Sequence, residues 1–268
     1  PSVSLHIKNL EQYFETTLIK RSIKQKKIII TTQGKILYEK AKSIIDTLDE
    51  TKEELSDYGN SIKGTLHIGC SFTLGEYFIP SFLGVFKEKY NDIDLHITIE
   101  NTAHICEKVE KFELDLGLIE GTVNNNKFIY ENIYEDNLVL AVGKNNPILN
   151  HTISKEYLEE QVWIGREKGS GSREQLDFFL LKNDIKPKNI IVLGSNYAIK
   201  ETVKNNLGIT FISSLVVNED VEANQIHLIP MEEKYKRNFS YIYPNGSKFS
   251  KIEKIFIDML KEYCKHKF

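Results

Sequence analysis

The stretch Pro1-Ser-Val-Ser-Leu-His-Ile-Lys-Asn-Leu-Glu11 decides how the rest of the chain is read. Val3, Ile7, Leu10 and Phe14 recur at steps of four, three and four, one apolar stripe of an α-helix. Ser2 and Ser4 stand at its start, where short hydroxyls suit a helix N-terminus and the phosphates such an end attracts. Leu5, Lys8 and Gln12 fall opposite the stripe, on a face that can look into a DNA groove. The segment reads as the second helix of a helix-turn-helix, without the helix that precedes it in that motif. The chain starts with Pro rather than Met, so a fragment of a DNA-binding protein is expected.

The residues beyond Thr17 strengthen that reading. Leu18-Ile-Lys-Arg21 leads into the basic stretch Ser22-Ile-Lys-Gln-Lys-Lys27, then the β-branched run Ile28-Ile29-Ile30 and Thr31-Thr-Gln-Gly34 before a new helix. Two short extended segments around a cationic tip describe a wing, a β-hairpin lying against the DNA backbone. Up to Lys40 the chain carries eight cationic and three acidic residues, a balance of +5. The whole chain is −3, so the remainder carries −8. Such asymmetry points to a polyanionic partner for one end only, although a solvated basic hairpin gives the same count. Ser2, Ser4, Leu5 and Lys8 are the expected groove-side residues, with Arg21, Lys24, Lys27 and Thr31 on phosphates.

The order Pro-Ser-Val-Ser-x-x-Ile-x-x-Leu-Glu, then Leu18-x-x-Arg21, then Ile30-Thr31-x-x-Gly34 opening a long helix, resembles the N-terminal domain of LysR-type transcriptional regulators. That family usually has Leu-Thr and Ala-Gly where this chain has Ile30-Thr31 and Gln33-Gly34, and Phe where Ile19 stands. The resemblance implies double-stranded DNA as a partner, and about twenty residues upstream of Pro1 completing the motif.

From Leu37 the apolar positions Leu37, Ala41, Ile44, Leu48, Thr51, Leu55 and Tyr58 alternate steps of four and three, a seam of about three heptads. Neither Gly nor Pro interrupts it before Gly59. A helix this exposed needs a partner along its stripe. The family resemblance makes it the linker helix of a homodimer, with a homotetramer as a further option. Packing on its own domain is the plain alternative.

After Asn60 short strands alternate with helical patterns, the signature of an α/β domain. Thr65–Gly69, Asp94–Glu100 and Leu114–Ile119 read as strands, with helices over Glu76–Tyr90 and Ala103–Phe112. Tyr130–Val142 reads as two further strands. A second set comprises Val162–Gly165, Ile190–Leu193, Gly208–Ile212, Ile226–Ile229 and Phe239–Tyr243, and Phe249–Lys265 is a terminal helix. Two lobes of this kind resemble periplasmic binding proteins and the effector-binding half of LysR-type regulators. The expected fold is α/β: a winged helix-turn-helix remnant over 1–34, a linker helix over 35–60, then a two-lobe periplasmic-binding-protein-like domain. Residues 64–142 with 238–268 form its first lobe and 143–237 its second.

In such a domain the ligand lies between the lobes, near strand ends and helix N-termini that favour anions. Ser71-Phe-Thr73 and Asn101-Thr102 follow the first two strands, and their hydroxyls serve either as oxyanion donors or as plain N-caps. In Arg166-Glu-Lys-Gly-Ser-Gly-Ser-Arg173, the segment Ser170-Gly171-Ser172 can wrap backbone donors around an anion; it can equally be a turn capped by Ser170 or Ser172. Ser195 and Asn196 are a lesser candidate by the same logic. Arg166 and Arg173 are the cations at hand, unless they pair with Glu167 or Glu174. The resemblance adds that the first two stretches match effector-contacting positions of the family. The Arg-Glu-x-Gly-Ser-Gly-Ser-Arg-Glu run resembles the branch that regulates cysteine biosynthesis and sulfite reduction, which implies a small anionic metabolite as effector.

At 268 residues and 41% hydrophobic content the chain can bury two ordinary cores. No apolar run reaches the length of a membrane span, so no membrane partner is expected. Cys70, Cys106 and Cys264 form no C-x-x-C, which fits a cytoplasmic protein without a disulfide or zinc scaffold. Cys70 adjoins the cleft, but peroxide sensing needs a resolving thiol that neither other Cys supplies. The seven histidines form no metal motif, and there is no Gly-x-Ser-x-Gly elbow, phosphate loop or dinucleotide fingerprint. The expected function is effector-responsive DNA binding, without a catalytic residue, metal or cofactor. A stand-alone solute-binding protein or enzyme on the same fold is the alternative, and the basic wing and heptad helix argue against it.

Overall fold

Two side chains tie the N-terminal elements together. Helix α1 (Ser2–Tyr13) is followed by a turn in which Glu11 Oε1 accepts the N–H groups of Leu18 at 2.8 Å and Ile19 at 3.2 Å. That carboxylate feeds the chain into β1 (Ile19–Ser22), which pairs antiparallel with β2 (Lys27–Ile30) from Ile19↔Ile30 to Ser22↔Lys27. Thr31 then closes the hairpin onto the next helix. Its N–H donates to Leu18 O at 2.9 Å, its hydroxyl donates to Thr17 O at 2.7 Å, and the same oxygen accepts Gly34 N–H at 3.0 Å. The wing read from the sequence is therefore present, and Thr31 is the N-terminal cap of α2 (Thr32–Ser56), a 25-residue helix.

The structure is a computed structural model that describes residues 2–22, 27–56, 62–121, 123, 126–151 and 153–267. These fall into two units, 1–61 with 246–251, and 62–245 with 252–268. Tyr58, at the end of the expected seam, lies outside the described residues, as does Lys24; nothing is described of the side chains of Ser2, Arg21, Lys27 or Leu55.

In the second unit nine strands form one mixed sheet. Its first end is built from β3 (Gly64–Ser71), β4 (Ile93–Glu100) and β5 (Leu116–Glu120), parallel in the order β4-β3-β5. Helices α3 (Ile79–Lys89) and α4 (Thr102–Glu110) connect them. The alternation of Asp94–Glu100 and the apolar Leu116–Glu120 thus become strands as their side-chain periods require. Phe82 on α3 meets Phe256 of the terminal helix α9 (Lys251–Lys267) edge-on at 5.2 Å, fixing that helix on this lobe.

The stretch expected as two strands is one. β6 (Phe128–Gly143) runs sixteen residues, because a different partner satisfies each part of it. β11 (Tyr235–Pro244) pairs antiparallel with its first two thirds, and β10 (Ile226–Ile229) continues along the same edge from Leu140 to Gly143. β9 (Ile209–Ser213) takes the other edge. Beyond it lie β7 (Val162–Arg166) and β8 (Asn189–Leu193), parallel to one another. Helices α5 (Lys155–Glu160), α6 (Gly171–Lys182), α7 (Asn196–Lys204) and α8 (Ser214–Glu222) belong to this second lobe. Trp163, fully buried there, donates its indole N–H to Leu158 O at 2.8 Å. β6 and β11 are thus the two crossovers that join the lobes.

Gly34 is set by a close approach. A Cβ at that position would overlap the carbonyl oxygen of Leu18, the acceptor of Thr31 N–H. Gly34→Ala is expected to cost ~1–3 kcal/mol of local stability by overpacking. The measurement is amide hydrogen exchange: Thr31 should exchange faster while strand amides of the second unit stay unchanged. An unchanged Thr31 rate would show that the glycine serves something else.

Candidate functional site

Three strand-to-helix turns converge where the crossovers pass between the lobes. The first is Ser71-Phe-Thr73. Ser71 ends β3, and helix starts at Phe72, earlier than the expected Glu76, passing through a π-helical turn over Leu74–Phe78 before α3. Such turns are uncommon and cluster at functional sites. Neither hydroxyl caps the helix. Ser71 Oγ is buried without a hydrogen-bond partner among the described residues, and Thr73 Oγ1 accepts from Asn196 Nδ2 and from an Arg237 guanidinium N–H, both at 3.0 Å.

The second turn is Asn101-Thr102. Asn101 does cap its helix, accepting His104 N–H at 3.0 Å, and its amide donates across to Glu167 at 3.2 Å. Thr102 donates to Glu120 O at 3.4 Å. The third is the Gly-Ser-Gly-Ser run. Ser170 occupies the N-cap position of α6 yet makes no capping bond, and its hydroxyl is buried and unpartnered. Gly171 lies so close to Glu120 that a Cβ would overlap its carbonyl oxygen and come within 2.7 Å of its Cγ. Ser172 donates to Glu120 at 3.1 Å and accepts from Arg237 at 3.1 Å. Ala103 N–H reaches Gly169 O at 3.1 Å, a backbone bond from one lobe to the other.

Of the remaining expected residues, Asn196 is fully buried and accepts from Arg166 at 3.3 Å, whereas Ser195 caps α7 through Ala198 N–H at 3.1 Å. Arg166 is held by both oxygens of Glu167, each at 2.8 Å, with its guanidinium 4.1 Å above the Phe72 ring. Burial works to raise the Glu167 pKa, but the bonds and charge of Arg166, a backbone N–H and the Asn101 amide together outweigh it and hold the carboxyl below its usual range. Arg173 pairs with Asp177 at 2.8 Å rather than with Glu174.

The hub of the site was not among the expected residues. Arg237 is buried, lies 2.8 Å from Asp136 and 3.1 Å from Glu120, and bonds Thr73 and Ser172 as well. Asp136 is 0% exposed and also accepts Ser213 Oγ at 2.7 Å. Burial raises the Asp136 pKa, and the Arg237 charge with its hydrogen bond opposes that rise. Arg237 and Asp136 lie in charged runs that look solvated in sequence. Only the register of β11 on β6, which sets Arg237 directly across from Asp136, brings them together.

The expected DNA-side residues Ser4, Leu5 and Lys8 are exposed on α1, as are Val3, Leu10 and Phe14 of the apolar stripe, while Ile7 is half-buried. Among the described residues no cluster of His, Cys, Asp or Glu could hold a metal, and no helix is long and apolar enough to cross a membrane. Burial pushes the Cys70 thiol up to about 12 and Cys106 to about 11, the opposite of what a reactive thiol requires.

A winged hairpin, a long helix and a two-lobed α/β domain with polar turns meeting between its lobes define an effector-responsive regulator rather than a simple binding module. Residues 59–265 match the family described as the LysR substrate binding domain, and the chain belongs to the LysR-type transcriptional regulators. It is 38% identical over 263 residues to the HTH-type transcriptional regulator CysL of Bacillus subtilis, covering 97% of this chain and 87% of that protein. A probable RuBisCO transcriptional regulator of Phaeodactylum tricornutum is 30% identical over 98% of this chain and 87% of its own. Among solved structures, the Synechocystis CcmR regulatory domain in complex with 2-PG superposes with a TM-score of 0.70 at 25% identity, over 76% of this chain and 99% of that one. A full-length OxyR variant from Pseudomonas aeruginosa shares the fold over 99% of this chain and 85% of its own, with a TM-score of 0.75 at 17% identity.

Removing Arg237 leaves two buried carboxylates uncompensated. Arg237→Met is expected to lose ~3–5 kcal/mol of stability, and adding Asp136→Asn and Glu120→Gln to restore much of it. The midpoint of urea unfolding measures both; equal midpoints for wild type and Arg237→Met would remove Arg237 from its central place.

Proposed function

We propose that the interlobe turns bind a small effector through an anionic group, and that occupancy changes how a homo-oligomer of this regulator engages double-stranded DNA. The observation that carries this is a set of three hydroxyls whose hydrogens are uncommitted. Among the described residues Ser71 Oγ and Ser170 Oγ, each on a residue 1% exposed, have no partner, and Thr73 Oγ1 accepts two bonds without donating one. Buried hydroxyls normally find partners, and each of these stands beside a helix start, where first-turn N–H groups also point outward. A carboxylate or oxyanion placed there gains several donors without meeting a free arginine. The 2-PG held by the CcmR domain is an anion in a protein of the same architecture.

The limits that accompany this reading are 1–34 for the DNA-binding part, 35–60 for the linker helix, 64–142 with 238–268 for one lobe and 143–237 for the other. Groove contacts from Ser2, Ser4, Leu5 and Lys8 and phosphate contacts from Arg21, Lys24, Lys27 and Thr31 complete it, with Thr31 also holding the wing onto α2. Homodimerisation runs along α2, where Ile44 and Leu48 stand exposed one turn apart. The protein acts in the cytoplasm and carries out no catalysis.

The test is a thermal titration with sulfate, sulfite, thiosulfate and small carboxylic acids, with and without an amino group. A true effector should raise the melting point with dose, by the equivalent of about 2.7 kcal/mol at ~100 times its Kd. Thr73→Ala and Ser170→Ala should each reduce the shift. A flat response across the whole panel would count against the cleft as an anion site.

A further inference from the structure

The buried cations of the cleft are already matched. Arg166 is taken by Glu167, Arg237 by Asp136 and Glu120, and Lys200 lies 2.9 Å from Asp220. Among the described residues one buried carboxylate oxygen there has neither a hydrogen bond nor an ion pair. Glu76, in the π-turn, has its Oε2 buried with no hydrogen-bond partner among the described residues. Its place in the fold aims it at the second lobe. Glu76 stands one turn beyond Phe72, whose ring carries Arg166 of β7. Its neighbour Tyr77 packs against the core of the second lobe, with Lys200 of α7 5.7 Å over its ring.

The charges that reach Glu76 are Arg166 and Lys200 on one side and Glu120 on the other, and burial raises its pKa above the usual carboxylate value. A bare anion entering here would add negative charge beside a carboxylate that already lacks a partner. A ligand that brings its own cation would satisfy that carboxylate instead. The donor side of the cleft, Ser71, ends β3 five residues before Glu76 on the same segment, roughly 7 Å of rise at 1.5 Å per residue. A carboxylate and an ammonium on one carbon, with a hydrogen bond at each end, span that interval.

We propose that the effector is an α-amino acid or a close zwitterionic relative, with its carboxylate at Ser71 and Ser170 and its ammonium on Glu76. This rests on the reading of the interlobe turns as the effector site. Glu76 then separates zwitterions from simple anions, which the hydroxyls alone would not do.

The experiment is a thermal-shift titration of the chain with the twenty L-amino acids, each paired with its N-acetyl derivative, which keeps the carboxylate and removes the ammonium. Sulfate, sulfite and thiosulfate are run alongside. At least one free amino acid is expected to raise the melting point while its N-acetyl partner does not. In Glu76→Gln, affinity for that amino acid should fall about tenfold or more, the loss of one charged hydrogen bond. If only N-acetylated or inorganic anions shift the wild type, the zwitterion proposal falls and the anion site stands. A silent panel overturns both. Unchanged amino-acid affinity in a folded Glu76→Gln also overturns the proposal. Should that variant fail to fold, the wild-type comparison of free and N-acetylated acids decides the matter.

Discussion

Arg237 and Asp136 face each other across the antiparallel ladder of β6 and β11, and the organisation of the two-lobe domain depends on that pair. Both strands cross between the lobes, so the pair sits where any change in lobe geometry must pass. Burying two charges costs more than an apolar pair of the same size would, so stability is not what the arrangement provides. What it provides is position. A guanidinium with five donors in a fixed plane can hold several acceptors at set angles, and here it holds Asp136, Glu120, Thr73 and Ser172 at once. The register shifts between Phe239 and Ser240, two residues beyond Arg237. A bulge there re-aims the strand beside the site, a common place for such irregularities.

The same network sets how a ligand would act. Thr73 with Asn196, Asn101 with Glu167, and Ala103 with Gly169 bond the lobes directly. A molecule entering among them competes with these bonds, and its effect on lobe geometry equals the difference in its affinity for the two arrangements. Uncommitted hydroxyls add affinity without breaking anything; replacing a cross-lobe bond moves the lobes. Ser71 and Ser170 belong to the first kind and Asn196 to the second. In the proposed site, recognition and response would therefore rest on different side chains of one cleft.

Much of this was legible in the sequence, for physical reasons. Strands such as Asp94–Glu100 alternate because Leu95 and Ile97 turn to a half-buried face while Asp94 and His96 turn to solvent, and the strand-end turns are marked by short hydroxyl and amide side chains that suit helix starts. The same stretches did gather at the interlobe site, apart from Ser195, which is used as a cap. The hub was not legible. Tyr130–Asp136 and Lys234–Arg237 are polar and charged, and a run of that kind resembles a solvated edge or a break between strands. The burial of Asp136 and Arg237 within them is a tertiary fact: β6 finds β11, β10 and β9 in turn, so its polar stretch stays in a ladder. The pairing of Arg173 is hidden for a similar reason. Its partner Asp177 lies one helical turn away, within α6, which contiguous sequence does not advertise as readily as the adjacent Glu174.

The N-terminal unit poses a separate energetic question. Isolated helices are marginal in water, and most helical stability in proteins comes from packing an apolar face. α2 presents Ile36, Ile44, Ile45 and Leu48 to solvent, each more than half accessible in the single chain. Thr47 and Thr51 turn their hydroxyls back onto the carbonyls four residues earlier, a habit that adds little to helix stability. The glutamate-tied turn and the Thr31 cap anchor only its first turn. Something must therefore cover the rest of the stripe, and its step of four residues from Ile44 to Leu48 matches the seam of a second helix of the same kind. Fully burying one such side chain is worth about 1.5–3 kcal/mol, so a few of them in register supply what capping alone does not. The exposed helix and the proposed homo-oligomer are then one requirement, which pairing of two α2 helices along this stripe would meet.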